Sequence, residues 1–257
     1  MRLRFEQLES RTNPSTDVFG IDHAALYPGV PEVIAYGDYN GDGRQDEAIV
    51  AGRGGGPAST VISDAGSGQN SPNPDPLSPF VLFKDFVMEP SARMGITVAS
   101  MRSADNTHDM LVYASDFGGG PRVVVQDLMK GTITSFFVMD QNYYGGIHLT
   151  EAGPNYSIVN GFPVALPGHV NDMVVAFAEV GGAPECTLFN ANGLVNSFFA
   201  GPQDDRSGDY QPAPAAVGAT ILDGTHADGM IVSNPDGSST FYDMLGRVHA
   251  DPFAGTD

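Results

Sequence analysis

The chain has 257 residues and carries 31 acidic against 12 basic side chains, a formal charge of −19. That balance repels phosphate backbones and argues against a nucleic-acid partner, while no apolar run approaches the roughly 18 residues of a membrane-spanning helix. The 32 glycines and 19 prolines punctuate short apolar runs, which reads as an all-β chain.

Residues 1–16 are polar, with Arg2, Arg4, Glu6, Glu9 and Arg11, and lack the apolar centre of a secretory signal. They are expected to be an export-like or disordered segment preceding a single domain, 17–257. Residues 17–29 carry an orphan half-repeat. Phe19-Gly-Ile-Asp22 with Tyr27-Pro-Gly29-Val30 matches Phe137-Val-Met-Asp140 with Tyr144-Gly-Gly146-Ile147. The chain stops in the matching place, at Asp251-Pro-Phe253. N-terminal residues are therefore expected to complete the last unit and remove open strand edges.

The most specific stretch is Asp38-Tyr-Asn-Gly-Asp-Gly-Arg-Gln-Asp46. Oxygen-bearing side chains fall at loop positions 1, 3, 5 and 9: Asp38, Asn40, Asp42 and Asp46. Arg44 offers its backbone carbonyl at position 7. Calcium takes about six to eight oxygens, and a loop of this spacing wraps it. Its flanks, Val33–Gly37 and Glu47–Ala51, are short, apolar and β-branched, so the loop joins two strands and is not an EF-hand. Asp, Asn and Gly also populate ordinary turns, which is the simpler reading of the same residues.

The unit then repeats. Asp46-Glu-Ala-Ile-Val-Ala recurs as Asp109-Met-Leu-Val-Tyr-Ala, 63 residues on (109 − 46), and as Asp172-Met-Val-Val-Ala-Phe, 63 further (172 − 109). A fourth copy, Asp228-Gly-Met-Ile-Val-Ser, follows after 56 (228 − 172). Gly54-Gly-Gly-Pro57 matches Gly118-Gly-Gly-Pro121 and Gly181-Gly-Ala-Pro184. Alternating strands are expected at 122–127, 185–190 and 239–243, followed by aromatic strands holding Phe136-Phe137 and Phe198-Phe199. Each unit thus holds about four strands, over 30–94, 95–145, 146–209 and 210–254. This predicts a β-propeller of about four four-stranded antiparallel blades. The glycine segments are expected at the inner ends of the blades, and the Phe pairs between blades.

The later loops are degraded. The second aligns Met101, Ser103, Asp105 and Asp109 with the four ligand positions, leaving three oxygens. The third carries an insertion, 154–170, with Val164 at position 1; the fourth keeps only Asp223 and Asp228. Both are expected to be bare turns. The single cysteine, Cys186, reads as a buried strand residue. His108 and His226 read as solvent-facing loop residues. No metal-binding histidine spacing, serine elbow or phosphate loop is present, so no catalytic residue is assigned.

At the 38–46 loop and the Gly-Gly-Gly-Pro segments the chain resembles the FG-GAP/VCBS repeat family, the calcium-loop propeller repeats also found in integrin α-subunit heads. The resemblance covers 17–254 and weakens toward the C-terminus. Arg4-Phe-Glu-Gln-Leu-Glu-Ser-Arg11 is similar to the opening of large exported proteins of some environmental bacteria. The resemblance implies a non-catalytic, calcium-binding module, secreted or at the cell surface, with a protein or glycan ligand and possible homo-oligomers. A lectin or carbohydrate-active enzyme using a rim pocket is the alternative. Two close carboxylates with exposed aromatics would favour it.

Overall fold

The structure, a computed structural model, describes residues 27, 29–41, 43, 46–55, 59–64, 81–86, 94–152, 156–159, 162–165, 173–179, 181–206, 211–214, 229–234, 236–243 and 246–249. Strands β1 (Glu32–Gly37), β2 (Asp46–Ala51), β3 (Ser59–Asp64) and β4 (Val81–Phe86) pair in that order as the first sheet. Strands β5 (Ile96–Arg102), β6 (Asp109–Ser115), β7 (Arg122–Asp127) and β8 (Thr132–Phe137) form the second. Strand β9 (Ile147–Ala152) opens the third, and a separate hairpin of β10 (Tyr156–Val159) and β11 (Phe162–Ala165) follows within the predicted insertion. Strands β12 (Met173–Ala178), β13 (Glu185–Asn190) and β14 (Gly193–Phe199) complete that sheet. Strands β15 (Gln211–Pro214), β16 (Gly229–Ser233), β17 (Ser239–Asp243) and β18 (Val248–His249) form the fourth.

All pairings are antiparallel. The described residues hold no helix, and none long and apolar enough to cross a membrane. The chain is all-β, as its composition predicts.

The second strand of each of the first three sheets is buried along its whole length. Those strands are near-continuous apolar runs because both of their faces are covered. In β6, successive side chains turn to opposite faces. Leu111 and Tyr113 join a cluster with Ala35, Tyr39, Ala48 and Val50 of the first sheet. Met110, Val112 and Ala114 join one with Ile147, Leu149, Val174 and Phe189 of the third. Cys186, Phe177, Leu188, Val232 and Tyr242 fill the layer between third and fourth. Cys186 is fully buried, as expected. Consecutive sheets therefore pack face to face. Their first strands are neighbours: β1 lies against β5, β5 against β9, and β9 against β15.

The glycine segments join the second strand of a sheet to its third. The turns fold tightly over the strand they leave, so a Cβ on Gly119 would sit 1.9 Å from the Ser115 Cβ. They also connect sheets. Gly146, just before β9, donates its N–H to the Gly119 carbonyl at 3.1 Å and accepts the Glu179 N–H at 3.1 Å. Its φ is +96°, and a Cβ placed there would come within 2.7 Å of the Asp116 carbonyl, so there is no room for a side chain.

The Phe pairs divide, which corrects the expectation that both members lie between sheets. Phe136 meets Phe189 edge-on, with centroids 5.2 Å apart, and Phe198 stacks on Tyr242 at 5.4 Å. Phe137 and Phe199 are 49% and 36% exposed. Adjacent residues of a strand point to opposite faces, and on these last strands only one face is covered.

Candidate metal-binding loop and its neighbours

The loop between β1 and β2 follows the pairing of Gly37 with Asp46, which brings its two ends together. Gly41 and Gly43 have φ of +74° and +82°, the conformation that lets a short loop coil back on itself. The Gly43 N–H donates to Asp38 Oδ2 at 3.0 Å, and the Tyr39 N–H to Asp46 Oδ2 at 2.9 Å. Asp46 is fully buried. Asp38, Asn40 and Asp46 thus belong to one coiled turn with an all-oxygen donor set, which suits a hard cation such as calcium. Asp42 and Arg44 lie outside the described residues. Among the described residues, no three His, Cys, Asp or Glu side chains gather as a metal site.

Two contacts anchor the loop on the second sheet. The Asp109 N–H donates to the Asp38 carbonyl at 2.7 Å, and the Asp38 N–H donates to Asp109 Oδ2 at 2.7 Å. Tyr39 is 1% exposed, and its hydroxyl bonds Ser100 Oγ at 2.5 Å. Burial pushes the phenol well above the usual range. The Ser100 N–H in turn donates to Glu151 Oε1 at 3.0 Å, so a polar chain runs through three sheets. Tyr39 sits at the second loop position, which the ligand pattern leaves unassigned. Its signal in the sequence is a large aromatic within an otherwise polar turn.

The second loop takes another form. Met101, at its first position, is fully buried in the core. Ser103 Oγ and Thr107 Oγ1 donate to Asp105 Oδ1 at 2.8 and 2.7 Å. Asp109 turns toward Asp38 and also pairs with Arg102 at 3.2 Å. Lys130, from the turn between β7 and β8, places its ammonium 2.8 Å from Asp105 Oδ2 and 3.6 Å from Asp127 Oδ2. The ammonium's bond, followed by those from Thr107 and Ser103, holds the Asp105 carboxyl well below the usual carboxylate range. Burial alone would raise Asp127. The Lys130 N–H, the His108 ring and the Lys130 charge outweigh it and lower that carboxyl too.

His108 is not a solvent-facing residue. It is 2% exposed, with Nε2 at 2.8 Å from Asp127 Oδ1 and Nδ1 at 2.9 Å from Thr107 Oγ1. The pairing of β6 with β7 brings Asp127 beneath the loop, and a buried imidazole needs such partners. His226, Asp223 and Asp228 lie outside the described residues, as do Val164's side chain and the half-repeat before residue 27.

A second titratable cluster forms on the glycine turns. The Glu179 carboxyl is raised from the usual 4.5 to about 7, first by burial and then by the charge of Asp116, partly offset by Arg53. Tyr143 is raised by burial and by the charge of Glu179. Arg53 lies 4.0 Å above the Phe117 ring. Phe117 and Tyr144 are 40% and 67% exposed. A nearby cavity of about 430 Å³ is lined by Tyr143, Phe199, Asn142, Glu185, Gln203 and Arg206.

No family model matches the chain, and no curated protein matches it. Among solved structures it is similar to a humanized mutant of the Chaetomium thermophilum Polycomb Repressive Complex 2, with 11% identity and a TM-score of 0.47 over 84% of this chain and 38% of that one. It is also similar to an Agrocybe aegerita lectin that recognises non-reducing terminal N-acetylglucosamine, with 15% identity and a TM-score of 0.44 over 87% of this chain and 52% of that one. A likeness to TolB from Acinetobacter baumannii has 12% identity and a TM-score of 0.21, over 88% and 68% of the two chains. The chain thus spans well under half of the first of these proteins and about half of the second. At these scores no property of those proteins transfers to this chain.

Proposed function

We propose that the chain is a non-catalytic, calcium-binding β-propeller module of about four blades that serves in adhesion, ligand binding or scaffolding outside the cell. The observation that carries this reading is the Asp38–Asp46 turn. Its oxygen-bearing side chains, coiled by two glycines of positive φ, sit on a hairpin docked against the next sheet. Calcium would be held by Asp38, Asn40, Asp42, Asp46 and the Arg44 carbonyl. Its chemistry there is structural: it neutralises clustered carboxylates and fixes the turn. The propeller reading is supported by four four-stranded sheets stacked face to face with their first strands side by side.

The test is calcium titration by calorimetry on the full chain, beside the Asp42→Asn variant. One calcium per chain, lost in the variant, is expected. No heat from the unmodified chain would end the reading.

The lectin alternative rests on a different observation. The 430 Å³ cavity combines the aromatic faces of Tyr143 and Phe199 with the amides of Asn142 and Gln203, a lining suited to a sugar. A glycan array run with calcium and with EGTA separates the readings: binding to any sugar favours the lectin, and silence favours a protein partner or scaffold.

A further inference from the structure

We propose that Lys130 is a built-in cation of the second repeat: its ammonium occupies the place of a metal ion in the 101–109 loop, so this loop is held without calcium. The inference rests on reading the 38–46 loop as the calcium form of the same unit.

Three observations carry it. The first is geometry. The ammonium is 2.8 Å from Asp105 Oδ2 and 3.6 Å from Asp127 Oδ2, while two hydroxyls hold the other Asp105 oxygen. A compact charge with three donors can satisfy carboxylate oxygens much as a small cation does. The second is the sequence exchange between repeats. The first repeat has Asp38 at position 1, whereas the second has the apolar Met101 (101 − 38 = 63). The same offset places Ser67 opposite Lys130 (130 − 63 = 67). Of these two repeats, the positive side chain is present in the one that lacks the leading carboxylate and absent in the one that keeps it; the third and fourth repeats lack both. In the third and fourth repeats, counting three residues from the strand ends Asn190 and Asp243, the position is Gly193 and Gly246. The third is access. Lys130 and Asp127 line a cavity of about 340 Å³ between the second and third sheets, so a hydrated ion can reach the position once the ammonium is gone.

The experiment uses the full chain carrying Asp38→Asn, which disables the first loop, with Lys130 intact or changed to Met or Arg. Calcium is titrated by calorimetry, and melting is followed in calcium and in EGTA. With Lys130 or Arg, no calcium uptake and no melting shift are expected. With Met, calcium should bind and raise the melting temperature by several degrees, because the carboxylates have lost their internal cation. A Met variant that folds only in calcium supports the proposal equally. Two results overturn it. One is calcium uptake by the Lys130-intact chain that Asp105→Asn abolishes. The other is a Met variant indifferent to calcium. Failure of the first-loop reading is seen separately, as an absence of calcium heat in the unmodified chain.

Discussion

Asp38 and Asp109, 71 residues apart, exchange two hydrogen bonds of 2.7 Å: the Asp109 N–H with the Asp38 carbonyl, and the Asp38 N–H with Asp109 Oδ2. The leading residue of the first-repeat loop is therefore oriented by the following repeat. On the proposed calcium reading, Asp109 orients a ligand without itself touching the ion. Asp109→Ala should weaken calcium binding about tenfold, within the range for residues that orient metal ligands. Calorimetric titration checks this, and an unchanged affinity would remove Asp109 from the site.

Chelation should destabilise the chain. A ligand at about 100 times its dissociation constant contributes about 2.7 kcal/mol. For a chain of this size that is roughly 5–10 °C in melting temperature. Melting in calcium and in EGTA measures it, and coincident curves would deny calcium a structural role.

Gly146→Ala should be among the most damaging single changes. It adds a Cβ at a φ of +96° and 2.7 Å from the Asp116 backbone, where the second and third sheets meet. A loss of about 2–4 kcal/mol is expected. Denaturant unfolding checks it; a loss below 1 kcal/mol, far under that range, would mean the junction relaxes freely.

The pH dependence should follow Glu179. Its folded-state value lies near 7, above the ordinary 4.5, so the folded chain binds the proton more tightly than the unfolded chain. This group's contribution is present at low pH, declines as pH rises from about 4.5 through 7, and stays lost above that. Glu179→Gln should flatten that slope and raise the melting temperature at pH 8 by a few degrees. A melting profile as steep in the variant as in the parent would assign the slope to other groups.

Adjacent phenylalanines should differ sharply. Phe136 packs on Phe189, and Phe136→Ala should cost roughly 2–4 kcal/mol. Phe137 is 49% exposed, and its substitution should stay within about 0.5 kcal/mol. Equal losses would contradict the assigned faces.

The sequence by itself determined the strands. Arg122–Asp127, Glu185–Asn190 and Ser239–Asp243 form where alternation between turn signals predicts them, because strand periodicity and turn chemistry act over a few residues. The oxygen pattern of 38–46 was legible for the same reason: its spacing is local. What only the tertiary structure decided depends on partners distant in the chain. Asp127 approaches His108 across 19 residues and Asp109 reaches Asp38 across 71, contacts set by strand register and by the stacking of one sheet on the next. That stacking also chose which Phe of each pair is covered. Pairing within the second sheet brought the Lys130 ammonium, from the turn after β7, to the carboxylate of Asp105 in the turn before β6.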